Sequence, residues 1–408
     1  MNEAGSAERQ SLDTASGPAS AGSALAASLP QPSPGGRGGS RDNNFDFLRL
    51  FAALMVIYGH GWVLSTNAGP GFWGVPFARI GLDIFFSISG YMVTGSWLRT
   101  PDLRVFLQKR ALRILPGLAA CVLVTVLVLG ARLTRLPLGT YLINHNTIKY
   151  LNNIILHPAL YLPGVFVGLG LGGAVNGSLW SLFPEALCYL TVPAFALIAI
   201  RPRLWALGLT GLLAGTAGLW LFYGYDGEAI VLNGTDVKYM LVEVPFFLLG
   251  GLCRLLEDRI AGFYRADFAL LGYSLNWMVS SWYSWWDIPV EWVTLPYMAL
   301  CFGRMSMPVV RRAGRFGDLS YGMYLYAFPV QQVILGAAPR FGYPILACMA
   351  LTVPFAALSW HLVEKPALRW KPGSRKGSTV AHDTRVAHVM PDEEPVPSLA
   401  TITNEWSR

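Results

Sequence analysis

The sequence predicts an all-α integral membrane protein with about ten transmembrane helices and both termini cytoplasmic. Three observations lead there. Apolar residues make up 53% of the 408 and charged residues only 13%, against about 25% charged in soluble domains. Ten apolar segments between residues 44 and 367 have about the length needed to span a bilayer, roughly 17 to 25 residues each. The short connections between them alternate between rich and poor in Lys and Arg, as the positive-inside rule requires.

Taken in order, residues 1–43 are rich in Ser, Ala, Gly and Pro, hold no apolar run able to bury a core and lack the apolar centre of a signal peptide. They read as a disordered cytoplasmic tail. The apolar segments follow at 45–65, 78–98, 111–131, 177–200, 204–223, 237–255, 267–284, 290–306, 316–336 and 343–363. Their even number puts both tails on one side. The connections "RTPDLRVFLQKR", "RPR", "RLLEDRIAGFYR", "RMSMPVVRRAGR" and "EKPALRWKPGSRK" carry the basic residues, whereas "STNAGPGFWG", "YGYDGEAIVLNGTD", "YSWWDIP" and "GAAPRFGYP" are almost without them. The basic set is therefore cytoplasmic. The long outer segment 132–176 keeps Arg132, Arg135 and Lys149, because long loops obey the rule poorly, and it has room for a short re-entrant or interfacial helix. Residues 44–367 form the transmembrane domain, and 368–408 read as a second, largely disordered cytoplasmic tail. The net charge of +7 is thus a matter of topology, and no basic patch interleaved with aromatics suggests nucleic acid. Cys121, Cys188, Cys253, Cys301 and Cys348 lie singly in apolar runs, without metal-ligand spacing, and read as packing residues.

Within this frame, ionisable residues inside the spans mark candidate sites. The first segment, "NFDFLRLFAALMVIYGHGW", carries Arg49 near its inner end and His60 between two glycines in its outer half. Eleven residues at about 100° each return to nearly the same helix face, about 16 Å along the axis. The two share one stripe with Asp46, Ala53 and Val56. Arg49 alone is also compatible with snorkelling. His60 is not, and Gly59 and Gly61 leave room beside it for another backbone or a substrate. In "NGSLWSLFPEALCYLTVPAF", Glu185 lies about two turns below the outer surface, at a depth expected to match His60. Ser178 and Ser181 share its face, and Pro184 leaves the Trp180 carbonyl without its usual partner. The alternative for Glu185 is an ion pair that pins two helices. In "LQKRALRILPG", Arg110 and Arg113 are three apart on one face, beside Lys109 and Arg104. Paired guanidiniums suit phosphate groups, although a basic cluster of purely topological origin has the same appearance. Asp83 in "IGLDIFFSISG" and Asp318 with Tyr321 in "FGDLSYGMYLYAFP" read as helix caps or interhelical bonds. The aromatic run at 276–292 reads as an interfacial belt or a sugar-stacking surface.

Together these residues resemble the acyltransferase-3 family of membrane-bound O-acyltransferases over nearly all of residues 44 to 367. The family's arginine–ten residues–histidine motif matches Arg49 and His60, its Arg-x-x-Arg motif matches Arg110 and Arg113, and "GLDIFFSISGY", "SLWSLFPE", "LSYGMYLY" and "VEKP" echo it further. Many relatives have a polar residue after the ninth-helix aromatic where this chain has Ala327, so any acceptor contact there falls to Tyr326, Gln331 or Gln332.

The resemblance implies a bacterial inner-membrane enzyme that moves an acyl group, most often acetyl, from cytoplasmic acetyl-CoA or another acyl-CoA to a hydroxyl of an extracytoplasmic or lipid-linked carbohydrate. It implies no permanently bound cofactor and no metal. On this reading Arg110 and Arg113, with Arg49, hold the donor phosphates. His60 acts as general base, or carries the acyl group covalently, and Glu185 orients its ring. Asp83, Tyr321, Tyr326 and Gln331 are acceptor or supporting positions. With no second catalytic domain of the serine-hydrolase kind expected, this chain completes the transfer alone or hands its acyl group to a separate protein, and the first is the reading favoured. The competing class is a proton-coupled transporter or flippase of a glycan or lipid-linked intermediate, in which the same residues relay protons or bind cargo; such folds often show internal repeats, and none is evident here.

Overall fold

The structure, a computed structural model, describes residues 43–66, 69–72, 75–169, 171–198, 202–223, 229–282, 287–337 and 343–372. The two tails read from the sequence lie almost wholly outside these residues. Every one of the ten apolar segments contains a long helix: α1 Phe45–Thr66, α2 Phe77–Arg99, α3 Leu103–Val124, α4 Leu182–Ile198, α5 Pro202–Tyr223, α6 Val237–Leu255, α7 Ala266–Trp282, α8 Asp287–Arg304, α9 Ser320–Ala337 and α10 Tyr343–Ser359. Two short β-hairpins, Gly71–Phe72 with Val75–Pro76 and Val231–Leu232 with Thr235–Asp236, lie directly ahead of α2 and α6. The second turns on Asn233-Gly234, both at positive φ, the pair that a tight hairpin favours.

By length and composition alone, four stretches among the described residues can cross a bilayer: Phe45–Thr66, Leu103–Leu133, Gly177–Ala196 and Pro344–Leu368. A fifth is added if Val237–Leu255 and the following Glu257–Phe263, bent by 80°, count as one span. The remaining helices are shorter or more polar, and α2 shows why. It buries Asp83, Ser87 and Thr94 completely, so its polar face looks into the bundle and lowers its hydropathy without touching lipid. Large apolar side chains point outward instead, among them Leu127 and Val128 on the α3 extension and Phe222 on α5.

The bundle is organised around α1 and α2. Helix α1 packs on α2, α9 and α10, and α2 packs on α1, α4, α6 and α8. Small residues permit these approaches. A Cβ on Gly90 of α2 would collide with the Phe247 carbonyl of α6, and one on Gly250 of α6 with the Ser87 carbonyl of α2. A Cβ on Gly81 would lie 2.6 Å from the Ala52 carbonyl of α1. The glycines beside His60 serve the same end: Gly59 abuts the Ala78 backbone, and Gly61 faces Ile345 and Gln331. They admit neighbouring helices rather than a substrate.

Helix α3 continues through a π-turn, Thr125–Gly130, into Ala131–Leu133. Its cause is visible, since Tyr141 donates a hydrogen bond of 2.9 Å to the Val126 carbonyl and so enters the helical ladder. The outer segment folds back as two short helices, Leu138–Ile143 and His145–Tyr150, and a 3₁₀ turn, Leu151–Ile155. Asn153, buried, fixes that fold by donating to the Tyr150 and Ala159 carbonyls at 2.7 and 2.9 Å. The chain then descends into the bundle, and a 3₁₀ turn at Gly177–Ser181 leads into α4.

The α2–α6 contact supplies a stability prediction. Gly90→Ala should destabilise the protein by about 1–3 kcal/mol through overpacking, read as a lower thermal unfolding temperature in detergent. Gly211→Ala in α5, where an added Cβ meets nothing within 4 Å, should be neutral or slightly stabilising. Equal behaviour of the two variants would refute close α2–α6 packing.

Candidate active site

Three cavities adjoin one another through the middle of the bundle. At the basic face lies a vestibule of about 630 Å³, lined by Arg49, Arg110, Arg113, Arg311, Arg315 and Lys371 among others. It shares Arg49, Met92, Arg110 and Arg113 with a narrow waist of about 100 Å³ that holds Ser89, Glu185 and Tyr189. Beyond the waist is an outer cavity of about 850 Å³ that contains His60. Leu82 and Tyr324 line both waist and outer cavity and form the partition between them.

At the vestibule, Arg49 in the first turns of α1 and Arg113 on α3 converge on one carboxylate. Asp318 accepts from Arg113 at 2.6 Å and from Arg49 at 3.4 Å. Arg49 also lies 3.6 Å from Asp46 and bonds the Met92 sulfur at 3.0 Å. Arg113 reaches Glu364 at 3.5 Å and covers the Tyr321 ring, whose hydroxyl donates to the Ile114 carbonyl at 2.9 Å. Arg110 differs from both. Its guanidinium lies over the Phe106 and Tyr189 rings at 5.9 and 5.8 Å, and its buried Nε has no hydrogen-bond partner. Two of the three arginines expected at the donor phosphates are thus held by carboxylates, whereas among the described residues Arg110 forms no such ion pair and shares the waist with Glu185. Asp318 is more than the helix cap its position suggests: it accepts the Ser320 hydroxyl at 2.6 Å and also joins α1 to α3.

In the waist, Glu185 accepts from the Tyr189 hydroxyl at 2.5 Å and from Ser89 at 3.1 Å. It does not bond His60. The sequence expects Glu185 to orient the histidine; its own hydrogen-bond partners are Tyr189 and Ser89, and the hydroxyl beside the imidazole is that of Ser178. Ser178, in the 3₁₀ turn Gly177–Ser181 ahead of α4, is the residue that lies beside His60. Glu185 lies seven residues further on, about two helical turns along the chain. The Trp180 carbonyl freed by Pro184 accepts from the Thr235 hydroxyl at 3.4 Å.

The group at the imidazole is Ser178, whose hydroxyl is 3.4 Å from His60 Nδ1, and the ring meets Phe328 edge-on at 5.4 Å. Ser178 is itself fixed. Tyr324 donates to its carbonyl at 2.5 Å and meets the Ser181 hydroxyl at 2.5 Å. Asn176 accepts from the Ser178 backbone N–H at 3.2 Å and donates to the Leu325 carbonyl at 2.9 Å. Tyr324, Ser178 and Asn176 were not singled out together from the sequence, although "NGSLWS" and "YLY" contain them; their joint role needs α4 and α9 side by side.

The supporting positions separate as follows. Tyr321 lines the waist. Tyr326 stacks on Phe355 of α10 at 6.2 Å, away from the three cavities. Gln331 donates to the Ile57 carbonyl at 2.5 Å and ties α9 to α1, and Gln332 donates to the Ala174 carbonyl at 2.6 Å. Asp83 is fully buried, 3.7 Å from Arg79, which also pairs with Glu291. Glu243 of α6 lines the outer cavity with Arg79. Sequence reasoning missed Glu243 and Glu291, although a carboxylate in an apolar helix is the signal that flagged Glu185. Among the described residues no group of three or more His, Cys, Asp or Glu side chains is arranged to hold a metal ion. Of the aromatic run 276–292, residues 283–286 lie outside the described residues.

Residues 42–363 match the family described as "Acyltransferase domain", Acyl_transf_3. The "O-acetyl transferase" of Shigella phage Sf6 is 28% identical over 356 residues, covering 80% of this chain and 96% of that protein. "Nodulation protein 10" of Rhizobium leguminosarum bv. viciae is 30% identical over 364 residues, covering 80% of this chain and 93% of that protein. No solved structure matches.

The shared carboxylate can be tested by itself. Asp318→Asn should cost roughly 2 kcal/mol of stability, less than the 3–5 kcal/mol typical of a broken fully buried pair, because these side chains are 21–22% exposed. Arg113→Gln should cost less in the Asp318→Asn background than alone, measured as a double-mutant cycle on thermal unfolding. Simple additivity would mean that the pair is not coupled.

Proposed function

The chain belongs to this acyltransferase family and is an acyltransferase enzyme, and we propose that it carries an acyl group from an acyl-CoA at the basic, cytoplasmic face to a carbohydrate hydroxyl on the opposite side. The observation that carries this reading is the run of three adjoining cavities from the arginine vestibule to His60. In it, all ten long helices cross the bilayer of the bacterial inner membrane and both termini are cytoplasmic, in keeping with the basic connections. Acetyl is the acyl group that the names of relatives favour.

The donor's diphosphate meets the vestibule, with Arg110 as the guanidinium available to it and Arg49 and Arg113 fixing the local charge. Its pantetheine arm enters the waist, and its thioester passes the Leu82–Tyr324 partition to reach His60. With Nδ1 turned to the Ser178 hydroxyl, Nε2 is the nitrogen that serves as base. It takes the acceptor hydroxyl proton as the oxygen attacks the thioester carbonyl. The tetrahedral intermediate expels the thiolate, and the imidazolium returns the proton to that sulfur, so atoms and charge balance without a cofactor. Glu185 acts in the waist on the donor arm through the Tyr189–Ser89 pair, not on the histidine. On the outer side, Trp180 and Tyr239 line the cavity with ring centroids 5.6 Å apart, and flat apolar faces of this kind suit the C–H face of a sugar. The transporter alternative has no need of a histidine held by a fixed hydroxyl.

His60→Ala should abolish transfer, a loss of about 10²- to 10⁴-fold, while leaving acyl-CoA binding intact. Arg110→Gln should raise the donor KM at least tenfold with little change in kcat, and high salt should partly mimic it. Purified protein, radiolabelled acetyl-CoA and mass spectrometry of the surface glycan measure both effects. A His60→Ala protein that transfers at the wild-type rate refutes the reading. The position of the histidine partner has its own test: Ser178→Ala should lower kcat about tenfold without changing donor KM, whereas Glu185→Gln should act on donor KM. The opposite split would return Glu185 to the histidine.

A further inference from the structure

Beside the vestibule lies a second basic cavity, of about 540 Å³, to which the reaction described above assigns no role. It is lined by Arg99 at the end of α2, Arg254 near the end of α6 and Arg304 at the end of α8, with Phe45 and Tyr91. A single basic residue in a helix's last turn is ordinary, since it complements the negative end of the helix dipole. Three helix ends that turn their guanidiniums into one cavity are a different matter. Arg99 and Arg254 approach each other across Gly95: an ideal Cβ there would lie 2.8 Å from Arg254 Nε and 3.5 Å from Arg99 Nη1. Those two nitrogens are therefore no more than about 6 Å apart, in a cradle that only glycine leaves open. One carboxylate, Glu257, bridges Arg254 and Arg304, and Tyr91 donates to it at 2.8 Å while accepting from Arg304 at 2.7 Å. No carboxylate lines the cavity itself among the described residues. Guanidiniums this close can both donate to one doubly charged anion with several acceptor oxygens, alongside the bonds that Arg254 and Arg304 make to Glu257.

The cavity meets the vestibule along Met92 and Arg99, which line both. An acyl-CoA carries two separate anionic centres, the diphosphate of its arm and a phosphomonoester on the ribose. Two basic cavities that share one arginine match that division. We propose that the Arg99–Arg254–Arg304 cavity binds the ribose 3′-phosphate of the donor, so that the enzyme distinguishes coenzyme A from its 3′-dephospho form. This rests on the donor assignment above. The occupant is the nucleotide phosphate rather than a lipid headgroup because Arg99 is common to the vestibule through which the donor enters.

The full chain, purified into nanodiscs of neutral phosphatidylcholine, can be titrated calorimetrically with coenzyme A and with 3′-dephospho-coenzyme A. Wild type should bind coenzyme A about 10- to 100-fold more tightly. Arg254→Gln should bring the two affinities within about threefold by weakening coenzyme A alone. Gly95→Ala keeps every charge but fills the cradle, and should do the same; it guards against a misfolded Arg254 variant. Equal wild-type affinities, a preference that survives both substitutions, or parallel loss of both ligands overturns the proposal. If wild type shows no preference and phosphatidylglycerol raises its unfolding temperature but not that of Arg254→Gln, the cavity is a headgroup site and the proposal falls. Absence of binding by either ligand overturns the donor assignment itself, and this proposal with it.

Discussion

One carboxylate holds the inner half of the molecule together. Asp318, just ahead of α9, accepts from Arg49 of α1 and Arg113 of α3. Three elements far apart in sequence meet there. An arginine inside a membrane protein is costly unless its charge is matched, and sharing one acid between two arginines makes the position of each depend on the other. Glu364, after α10, adds a fourth element through Arg113. The arrangement also settles which cation is available. With Arg49 and Arg113 engaged in ion pairs, Arg110 faces the aromatic rings of Phe106 and Tyr189 at the mouth of the waist and forms no ion pair among the described residues. The Arg-x-x-Arg pair therefore divides its labour, one residue for architecture and one for charge.

The outer half depends on a different device, backbone proximity. Helices α1, α2 and α6 approach through glycines, and that closeness lets polar groups satisfy one another across helix boundaries. The 3₁₀ turn before α4 shows the result. Its backbone lacks a continuous helical ladder, a situation that a membrane protein tolerates within the bilayer only where protein buries it. Asn176, Ser178 and Tyr324 supply the missing hydrogen bonds, and the same contacts present the Ser178 hydroxyl to His60. What satisfies the backbone also aims the histidine. Tyr324, which belongs to this set, is at once a wall of the waist and of the outer cavity.

The readings that succeeded from sequence were those set by local chemistry. Helical segments follow from runs of apolar residues, and each of the ten predicted runs contains a helix. The Arg49–His60 stripe follows from 3.6 residues per turn, and the vestibule and the outer cavity do open along it. Two readings went differently for one reason. Spacing matches Glu185 to His60 only by counting residues from an assumed surface, and it leaves open whether the glycines beside His60 admit another backbone or a substrate, of which the backbone is what the structure shows. Both questions concern how deep or how near a second element runs, which spacing within one element does not encode.

The amino-acid sequence by itself determined that this is a helical membrane protein, which helices it contains, which of their faces carry ionisable groups and to which acyltransferase family it belongs. These properties reside in composition, periodicity and short motifs. Only the tertiary structure decided that Asp318 is shared by two arginines, that Arg110 lies over the Phe106 and Tyr189 rings with its Nε unbonded, that the Ser178 hydroxyl meets the histidine, and that three helix ends gather Arg99, Arg254 and Arg304 around Gly95. Each of these is a contact between residues distant in the chain. Their geometry is fixed by how closely helices can pack and how far a segment descends before it turns, and those distances arise only when all the helices are assembled at once.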